Sequence, residues 1–439
     1  MTGRAELLTF ITTDFAGITR GRSIAAAKYK PDAGKSLGWV PANMSLTPFD
    51  IIADPNPWGS EGDVRLLADP AARFTTNLAG AETRFDVVMA DLTELDGSPW
   101  ALCPRGFLKS ALADFTAETG LTLLASFEHE FQLFDTGLPQ APAFSLRGLR
   151  QADPFGPDVM AALEALGLAP EIFITEYGRD QFEVPIAPSD GLAAADRAVI
   201  LREVVRELAQ RRSWHASFAP KTEVEGVGNG VHIHLSFRDA DGRPAAYDPT
   251  RPGEVSALAG SFAAGILRHM PALVAFTAPS PISYLRLTPH HWSSSYTWFG
   301  DCNREASLRI CPRPKGGKSD AGLAYNLEYR PADATACPHL ALGMLIRAGL
   351  AGMRAALPTP NLFSGDPELL TPDERKELGL FRLPLTLEAA LQALEADKTV
   401  CEWLSPLALE TYVGMKRAEI DLAGPVLDDA LCQRYAGIY

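Results

Sequence analysis

Two segments with the alternating pattern of β-strands carry ionisable side chains at every second position. They read LTLLASFEHEFQLF and GVHIHLSF. Because side chains alternate between the two faces of a strand, Glu128 and Glu130 share one face of the first segment. His232 and His234 share one face of the second segment for the same reason. Like charges that are neighbours on a sheet face repel each other. A sheet built from these strands therefore has a solvated polar face or binds a cation between its carboxylates.

Three more glutamates lie within or at the edge of apolar stretches that we predict to be strands. They are Glu176 in EIFITEY, Glu183 in QFEVPI and Glu328 in NLEYRPAD. Each feature alone has an ordinary explanation, since a single strand histidine is usually a core residue and a glutamate usually faces water. Together they indicate a divalent-metal site with the ligands Glu128, Glu130, Glu176, Glu183, His232 and Glu328. Oxygen-rich ligation with one imidazole favours Mg²⁺ or Mn²⁺ over zinc.

Four arginines form a second group in the sequence. Arg286 lies within the aromatic and proline-rich segment PISYLRLTPHHWSSSYTWFG, and Arg304, Arg309 and Arg330 follow it. A guanidinium group matches the geometry of carboxylates and phosphates, although surface salt bridges are an equally common use of arginine. A metal site combined with several arginines is what phosphoryl transfer requires.

Composition narrows the possible partners. The 439 residues include 40 Lys plus Arg and 54 Asp plus Glu, which gives a net charge of −14. Non-specific nucleic-acid binding needs a basic surface, so we expect no nucleic-acid partner. The longest apolar helix that we predict, residues 340–353, is interrupted by Arg347. We therefore expect no membrane-spanning segment and no membrane partner.

The N-terminal segment and the cysteines favour a cytoplasmic location. The opening MTGRAELLTFITTDFAG lacks the long apolar region and the cleavage site of a secretory signal. The cysteines are scattered without a CxxC pair, which is typical of free thiols in a reducing compartment. They are Cys103, Cys302, Cys311, Cys337, Cys401 and Cys432.

Two segments resemble phosphate-binding loops but do not fit those motifs. Gly317-Lys318-Ser319 resembles the end of a P-loop, yet Pro312 stands where the motif needs its upstream glycine. The run from Gly226 to Gly230 is not a dinucleotide fingerprint and precedes a strand instead of a helix. We interpret this run as a flexible loop that leads to His232.

The order of the elements favours an α+β fold. Strand-like and helix-like segments are mixed without regular βαβ alternation. The chain is longer than one hydrophobic core usually supports. Residues from about 31 to 100 are rich in Pro, Asp and Gly, so we predict a small N-terminal domain of residues 1–102 and a larger domain of residues 103–439.

Taken together, these motifs resemble the glutamine synthetase family nearly from end to end. SFEHEFQLF, EYGRDQFEV, GNGVHIHLSF, NREASLRI and NLEYRPAD are similar to its metal-binding, glycine-rich and arginine-bearing segments and follow one another in the family's order. FITTDFAGITRGRSI resembles the start of its N-terminal domain. The resemblance implies an N-terminal β-grasp domain and a catalytic domain with a curved antiparallel sheet and outer helices. Members of the γ-glutamylpolyamine synthetase kind are the nearest match.

The resemblance also implies a role for each site residue. One metal would be bound by Glu130, Glu176 and Glu183, and a second by Glu128, His232 and Glu328. ATP would be the co-substrate, with two or more Mg²⁺ or Mn²⁺ ions per site. Arg304, Arg330 and Asp50 would be catalytic, with Asp50 reaching the active site of a neighbouring subunit. The residues implied to bind substrate are Arg286, Arg309, Gly228, Asn229 and Trp292.

The sequence departs from the family where the amine would bind. The family's loop reads Pro-Gly-Tyr-Glu, and its glutamate helps to bind and deprotonate ammonium; here the run is Pro289-His290-His291-Trp292. An indole ring cannot act as a base, so Trp292 favours an alkyl or aromatic amine over ammonium. The alternative is that the loop has shifted its register and that another acid replaces the missing one. Val227 stands where the family has an asparagine that contacts glutamate, and Asn229 is the candidate to compensate.

We therefore expect an ATP-dependent ligase that joins the side-chain carboxylate of glutamate to a small organic amine or polyamine through an acyl phosphate. Two alternatives stay open: a true glutamine synthetase that uses ammonia, and a non-catalytic family member with a structural or regulatory role. The resemblance further implies a homo-oligomer of two stacked hexameric rings with active sites between subunits, acting in nitrogen metabolism.

Overall fold

Two β-sheets and the helices around them organise the chain. The computed structural model describes residues 4–54, 56–313 and 320–439, so Gly317-Lys318-Ser319 lies outside the described residues. The strands are β1 Leu7–Thr13, β2 Thr19–Ala25, β3 Ser36–Trp39, β4 Val64–Thr76, β5 Phe85–Thr93, β6 Thr122–Phe134, β7 Ile174–Thr175, β8 Gln181–Pro185, β9 Ser189–Asp190, β10 His215–Ser217, β11 Val231–Arg238, β12 Phe299–Asp301, β13 Leu308–Ile310 and β14 Leu327–Tyr329. The α-helices are α1 Pro104–Thr119, α2 Leu146–Gln151, α3 Phe155–Ala165, α4 Gly191–Gln210, α5 Ala257–Thr277, α6 Ser283–Arg286, α7 Pro338–Arg354, α8 Pro372–Leu378, α9 Leu387–Ala396, α10 Lys398–Cys401, α11 Pro406–Ala423 and α12 Asp429–Ala436.

The N-terminal sheet has the strand order β2-β1-β5-β4-β3. β1 and β5 run parallel, and the other neighbours are antiparallel. Alternation in β1 buries Leu8 and Phe10 against the core. Gly17 has a φ of 75° in the turn before β2, and a β-carbon there would lie 2.4 Å from the carbonyl oxygen of Thr335. Only glycine therefore fits where this turn packs on the second domain. The predicted β-grasp domain is confirmed.

The larger sheet has the order β12-β13-β14-β11-β6-β8-β7, and β9 and β10 also pair with β6. Among the strands that the structure describes, the pairs of this sheet are antiparallel except β12 and β13, which run parallel. On the face of β6 opposite the glutamates, Phe127, His129 and Phe131 are buried, and α4 packs against this strand. The predicted α+β fold with outer helices is confirmed.

One predicted strand is much shorter than expected. EIFITEY forms only the two-residue strand β7, and Ile172 before it is 52% exposed. Glu176 lies in the turn between β7 and β8, where its N–H donates to the carbonyl oxygen of Gln181 at 2.8 Å. The turn thus positions Glu176 beside β8 without a long strand.

The expectation that no helix is long and apolar enough to span a membrane is wrong for α5. This helix has 21 residues and a mean hydropathy of 1.3 in its most apolar window. Its side chains pack on α7, and 67% of that window is buried inside the protein. Composition and length alone do not separate a core helix of this kind from a membrane span. The predicted helix 340–353 is confirmed as α7.

A buried arginine links the N-terminal sheet to helices α1 and α4. The guanidinium of Arg105 on α1 donates to Asp196 on α4 with both Nε and Nη2, at 2.9 and 2.8 Å. It also donates to Asp91 on β5 at 2.9 Å and to Asp69 on β4 at 2.8 Å. His339 on α7 contacts the same carboxylate of Asp196 at 2.8 Å. These contacts join the N-terminal sheet to the helices behind β6. The division of the chain after residue 102 stays a prediction.

Candidate active site

Strand register brings the predicted metal ligands to one face of the larger sheet. In the antiparallel pair β6–β8, Glu130 lies opposite Glu183. In the pair β6–β11, Glu128 lies opposite His232. Residues that are directly opposite in an antiparallel pair have their side chains on the same face. The alternating side chains of the three strands therefore form one polar patch on this face of the sheet.

Glu128, His232 and Glu328 form the tightest cluster of potential ligands. Their donor atoms all lie within 4.8 Å of one another. His232 Nδ1 is 3.4 Å from Glu128 Oε2 and 3.4 Å from Glu328 Oε1. Burial lowers the pKa of His232, which keeps its imidazole neutral, the form that binds a metal. Two carboxylates and a neutral imidazole fit a divalent cation in this position.

Glu328 is completely buried between two arginines. Its carboxylate accepts hydrogen bonds from Arg309 Nε and Arg330 Nη1. Burial alone would raise the pKa of Glu328, but Arg330 and the other nearby basic groups lower it to about 2. Glu328 is therefore ionised at neutral pH and holds both guanidinium groups at the edge of the patch.

Glu130, Glu176 and Glu183 form a second carboxylate group. Burial raises the pKa of Glu183 to about 9, and Glu128, Glu130 and Glu176 add to the shift. Burial and the charge of Glu130 raise the pKa of Glu176 to about 7. Glu130 Oε2 accepts from the N–H of Gly230 at 2.7 Å. Mutual repulsion of this strength is what a bound hard cation relieves, so the donor set fits Mg²⁺ or Mn²⁺.

Mg²⁺ binding is therefore expected to release protons. A carboxylate binds a metal only when it is deprotonated, and Glu183 is mostly protonated at pH 8 when no cation neutralises the group. Mg²⁺ affinity should rise as the pH increases towards the raised pKa of Glu183, and about one proton should leave per binding event near pH 8. Isothermal titration calorimetry in two buffers of different ionisation enthalpy measures this release. Equal binding enthalpies in both buffers would contradict the expectation.

The glycine-rich loop before β11 packs on Arg286. Arg286 Nη2 donates to the carbonyl oxygens of Pro331 at 2.8 Å and Ala332 at 2.7 Å, and its side chain is buried. Gln181 Nε2 donates to the carbonyl oxygen of Gly228 at 2.9 Å and to Asn229 Oδ1 at 2.8 Å. The loop and the guanidinium group are thus fixed together beside the carboxylates.

Gly228→Ala is expected to displace Arg286. An added β-carbon would lie 2.7 Å from Arg286 Cγ and 3.1 Å from the carbonyl oxygen of Pro220, so neither neighbour can move away cheaply. If Arg286 binds the α-carboxylate of glutamate, KM for glutamate should increase at least about tenfold. Steady-state kinetics with varied glutamate measures this. Gly414→Ala is the matched control, because Gly414 has open space around it in α11. An unchanged KM would remove Arg286 from the glutamate site.

The loop that carries Trp292 is held by an acid that the sequence did not single out. Trp292 N–H donates to Glu305 Oε1 at 2.6 Å, and His290 N–H donates to Glu305 Oε2 at 3.2 Å. The carbonyl oxygen of Trp292 accepts from Arg330 Nη2 at 2.9 Å. The guanidinium of Arg304 lies 6.0 Å from the centre of the Trp292 ring. Trp292, Arg304 and Arg330 are therefore brought together.

Within the described ranges, Asp50 contacts a residue of the N-terminal domain and not the carboxylate patch. Its side chain is 76% exposed and accepts from Arg20 Nη1 at 2.9 Å, within the N-terminal domain. Among the described residues it makes no hydrogen bond or ion pair with the predicted metal ligands or the four arginines. Its proposed role would require a neighbouring subunit.

His234 is a site residue that was seen in the strand pattern but not assigned a role. Its Nε2 is 3.1 Å from Glu128 Oε1, and its Nδ1 is 2.8 Å from Asn326 Oδ1. Burial opposes a charge on His234, but Glu128 and then Cys311 hold its pKa well above the usual value. His234 is thus a charged group that orients Glu128. Cys311, whose Sγ is 3.7 Å from His234 Nδ1, carried no signal in the sequence.

The fold and the carboxylate patch together define the protein class, which the family comparison identifies. Residues 1–100 match the glutamine synthetase N-terminal domain, and residues 101–435 match the glutamine synthetase catalytic domain. The chain therefore belongs to the glutamine synthetase family and is a ligase of that family, whose members use ATP and divalent metals.

The curated relatives include both a gamma-glutamylpolyamine synthetase and glutamine synthetases. The chain is 34% identical over 436 residues to the gamma-glutamylpolyamine synthetase GlnA3 of Streptomyces coelicolor, which covers 97% of this chain and 92% of that protein. It is 31% identical to a glutamine synthetase of Halobacterium salinarum, over 82% of this chain and 80% of the other. The names of these relatives leave the identity of the amine open.

Solved structures agree with the fold. One, described as a novel glutamine synthase homolog, is 44% identical and covers 100% of both chains with a TM-score of 0.91. Another, GmaS without ligand, is 27% identical and covers 94% of this chain and 93% of the other with a TM-score of 0.80.

Proposed function

We propose that this ligase joins the side-chain carboxylate of glutamate to a small organic amine, with conversion of ATP to ADP and phosphate. The observation that carries the proposal is Trp292. This half-exposed indole stands in the loop where the family has a carboxylate for ammonium, and it lies beside Arg304 and Arg330. An apolar ring at this position favours an amine with a carbon substituent.

The reaction has two steps. The γ-carboxylate of glutamate attacks the terminal phosphorus of ATP, the bond to ADP breaks, and a γ-glutamyl phosphate forms. The amine nitrogen then attacks the carbonyl carbon, the C–O bond to phosphate breaks, and an amide forms. The ammonium form must lose one proton before its attack and a second as the amide forms, so a base is needed nearby.

Three groups of side chains would serve the two steps of the reaction. Two or more Mg²⁺ or Mn²⁺ ions, held by Glu130, Glu176 and Glu183 and by Glu128, His232 and Glu328, would neutralise charge on the phosphates. Arg304, Arg309 and Arg330 would contact the transferred phosphoryl group and the activated carboxylate. Arg286, Gly228 and Asn229 would hold the α-carboxylate end of glutamate.

A true glutamine synthetase that uses ammonia is the second candidate. Glu305 favours it, because this acid lies between β12 and β13, contacts the Trp292 loop and would replace the missing glutamate. Both of its carboxylate oxygens, however, already accept backbone N–H groups of the loop, from Trp292 and His290. Glu305 thus stabilises the loop, and part of its hydrogen-bonding capacity is used there.

The proposal is tested by glutamate-dependent phosphate release from Mg²⁺-ATP. Parallel reactions contain ammonium, methylamine, ethanolamine, putrescine or benzylamine. Stimulation by an organic amine above that by ammonium is expected. Stimulation by ammonium alone would make the protein a glutamine synthetase. If no amine stimulates release, Mg²⁺-ATP binding decides between a different acid substrate and a non-catalytic protein.

Trp292→Glu is expected to shift the preference towards ammonium. A carboxylate at this position adds a negative charge and removes apolar surface, so the ratio of kcat/KM for ammonium to that for methylamine should increase at least about tenfold. Trp292→Phe is the control, because it keeps an aromatic ring and adds no charge. An unchanged ratio in Trp292→Glu would exclude Trp292 from the amine site.

We further propose a ring-shaped homo-oligomer, two stacked hexamers, in the cytoplasm. The exposed carboxylate of Asp50, which contacts Arg20 and none of the metal-ligand candidates of its own chain among the described residues, supports a site completed by a neighbouring subunit. All six cysteines are free, which is consistent with a reducing compartment.

A further inference from the structure

The two carboxylate oxygens of Glu128 face two different histidines. His232 Nδ1 lies 3.4 Å from Oε2, and His234 Nε2 lies 3.1 Å from Oε1. The two histidines are two positions apart on β11, so they lie on the same face of the sheet. Oε2 is turned towards His232, a member of the candidate metal cluster. The rotation of the Glu128 carboxylate therefore depends on where His234 holds Oε1.

Asn326 fixes the ring of His234. Its Oδ1 lies 2.8 Å from His234 Nδ1, and its Nδ2 donates to the carbonyl oxygen of Ala324 at 3.2 Å. If the amide were turned over, two oxygens would meet at Ala324, so Oδ1 faces the histidine. An amide oxygen only accepts, so His234 Nδ1 carries a hydrogen and donates to it. The other ring nitrogen, Nε2, is then the one that faces Glu128.

The backbone holds Asn326 in this position. Asn326 lies directly before β14, and its carbonyl oxygen accepts from the N–H of Cys311 at 3.3 Å. Strand register places His234 on β11 opposite Glu328 on β14. Cys311 Sγ lies 3.7 Å from His234 Nδ1 and 3.6 Å from Glu328 Oε2. The imidazole is thus fixed by a hydrogen bond from one neighbour and contacted by the side chain of another.

Asn326 reaches the candidate metal ligands only through His234. Among the residues that the structure describes, the Asn326 side chain hydrogen-bonds with His234 and with the Ala324 carbonyl oxygen alone. Groups that orient a metal ligand from behind determine how well it binds the ion, and their loss typically lowers metal affinity 10- to 100-fold. The chain of contacts from Asn326 through His234 to Glu128 has this form.

We propose that Asn326 is a positioning residue for the metal cluster of Glu128, His232 and Glu328. It holds His234, which holds Oε1 of Glu128 and leaves Oε2 directed towards His232. This inference rests on the metal-binding role of Glu128 in the proposed function and does not depend on the identity of the amine.

The test measures binding of Mg²⁺, and separately of Mn²⁺, to the nucleotide-free protein by isothermal titration calorimetry. Asn326→Leu keeps the size of the side chain but has no acceptor for His234, so the affinity for at least one ion should fall about tenfold or more. Asn326→Asp keeps an oxygen for His234 and should bind within about threefold of the unmodified protein. Thermal unfolding without metal shows whether each variant is folded.

A double-mutant cycle separates positioning from a general structural effect. If Asn326 acts through His234, adding Asn326→Leu to His234→Ala should change Mg²⁺ affinity by less than about twofold. Losses that multiply in the double variant would overturn the inference, as would unchanged affinity in Asn326→Leu; both results leave the proposed function intact. Absence of Mg²⁺ and Mn²⁺ binding by the unmodified protein would overturn the inference together with the metal site of the proposed function.

Discussion

Glu328→Gln is expected to abolish ATP-dependent turnover and to destabilise the fold. The substitution removes a proposed metal ligand from the cluster with Glu128 and His232, and loss of a cation that stabilises phosphoryl transfer should lower kcat by roughly 10³-fold. It also leaves the guanidinium groups of Arg309 and Arg330 facing a neutral amide in a buried site. Removing one partner of a buried ion pair costs about 3–5 kcal/mol of the free energy of unfolding.

The two effects can be separated by a control elsewhere in the chain. Glu419 is also completely buried and pairs with Lys416 at 2.8 Å, on α11. Glu419→Gln should therefore lower the unfolding temperature but keep kcat within about twofold below that temperature. Phosphate release and thermal unfolding measure both quantities. Normal kcat with normal Mg²⁺ dependence in Glu328→Gln would show that Glu328 binds no catalytic metal.

The metal patch was predictable because strand periodicity is a local property. The alternation of side chains along β6 and β11 indicates which face Glu128, Glu130 and His232 occupy. Register then decides which residues meet, and the structure pairs Glu128 with His232 and Glu130 with Glu183. This pairing depends on contacts between distant segments, so the sequence predicted the members of the patch and left their arrangement undetermined.

The surroundings of Trp292 were not predictable for a different reason. That Glu305 binds the loop through two backbone N–H groups depends on loop geometry, which has no periodic signal. The contact between Tyr177 and Trp292 joins residues 115 positions apart, and nothing in either local sequence indicates it. The raised pKa of His234 follows from its contacts with Glu128 and Cys311, which outweigh its burial and exist only in the folded protein.

Arg105→Met is expected to cause the largest loss of stability. The guanidinium of Arg105 is 2% exposed and forms ion pairs with Asp69, Asp91 and Asp196 at once. Methionine keeps much of the apolar stem but leaves three carboxylates close together, one of them nearly buried, so the free energy of unfolding should fall by about 3–5 kcal/mol or more near neutral pH. Because these carboxylates lie on the N-terminal sheet and on α4, the loss should affect the docking of the N-terminal domain.

The loss should also depend on pH with a definite sign. Burial would raise the pKa of Asp69 and of Asp196. A hydrogen bond from Arg105 to Asp69, and hydrogen bonds from His339 and Arg105 to Asp196, hold both pKa values below the usual value, so the ionised forms stabilise the fold above about pH 4. Without Arg105 the clustered carboxylates take up protons at higher pH, which relieves their repulsion. The difference from the unmodified protein should therefore shrink as the pH falls from 7.5 to 5.

Lys109→Met provides the matched control for this prediction. Lys109 lies near the same carboxylates, Asp69 and Asp91, but its side chain is 37% exposed. Its loss should cost no more than about 1 kcal/mol, because water and salt screen exposed ion pairs. Denaturant unfolding at equal protein concentration, at pH 7.5 and pH 5, measures both variants. Equal losses in the two variants would show that burial of Arg105 contributes nothing beyond its charge, and a deficit that grows in acid would contradict the linkage argument.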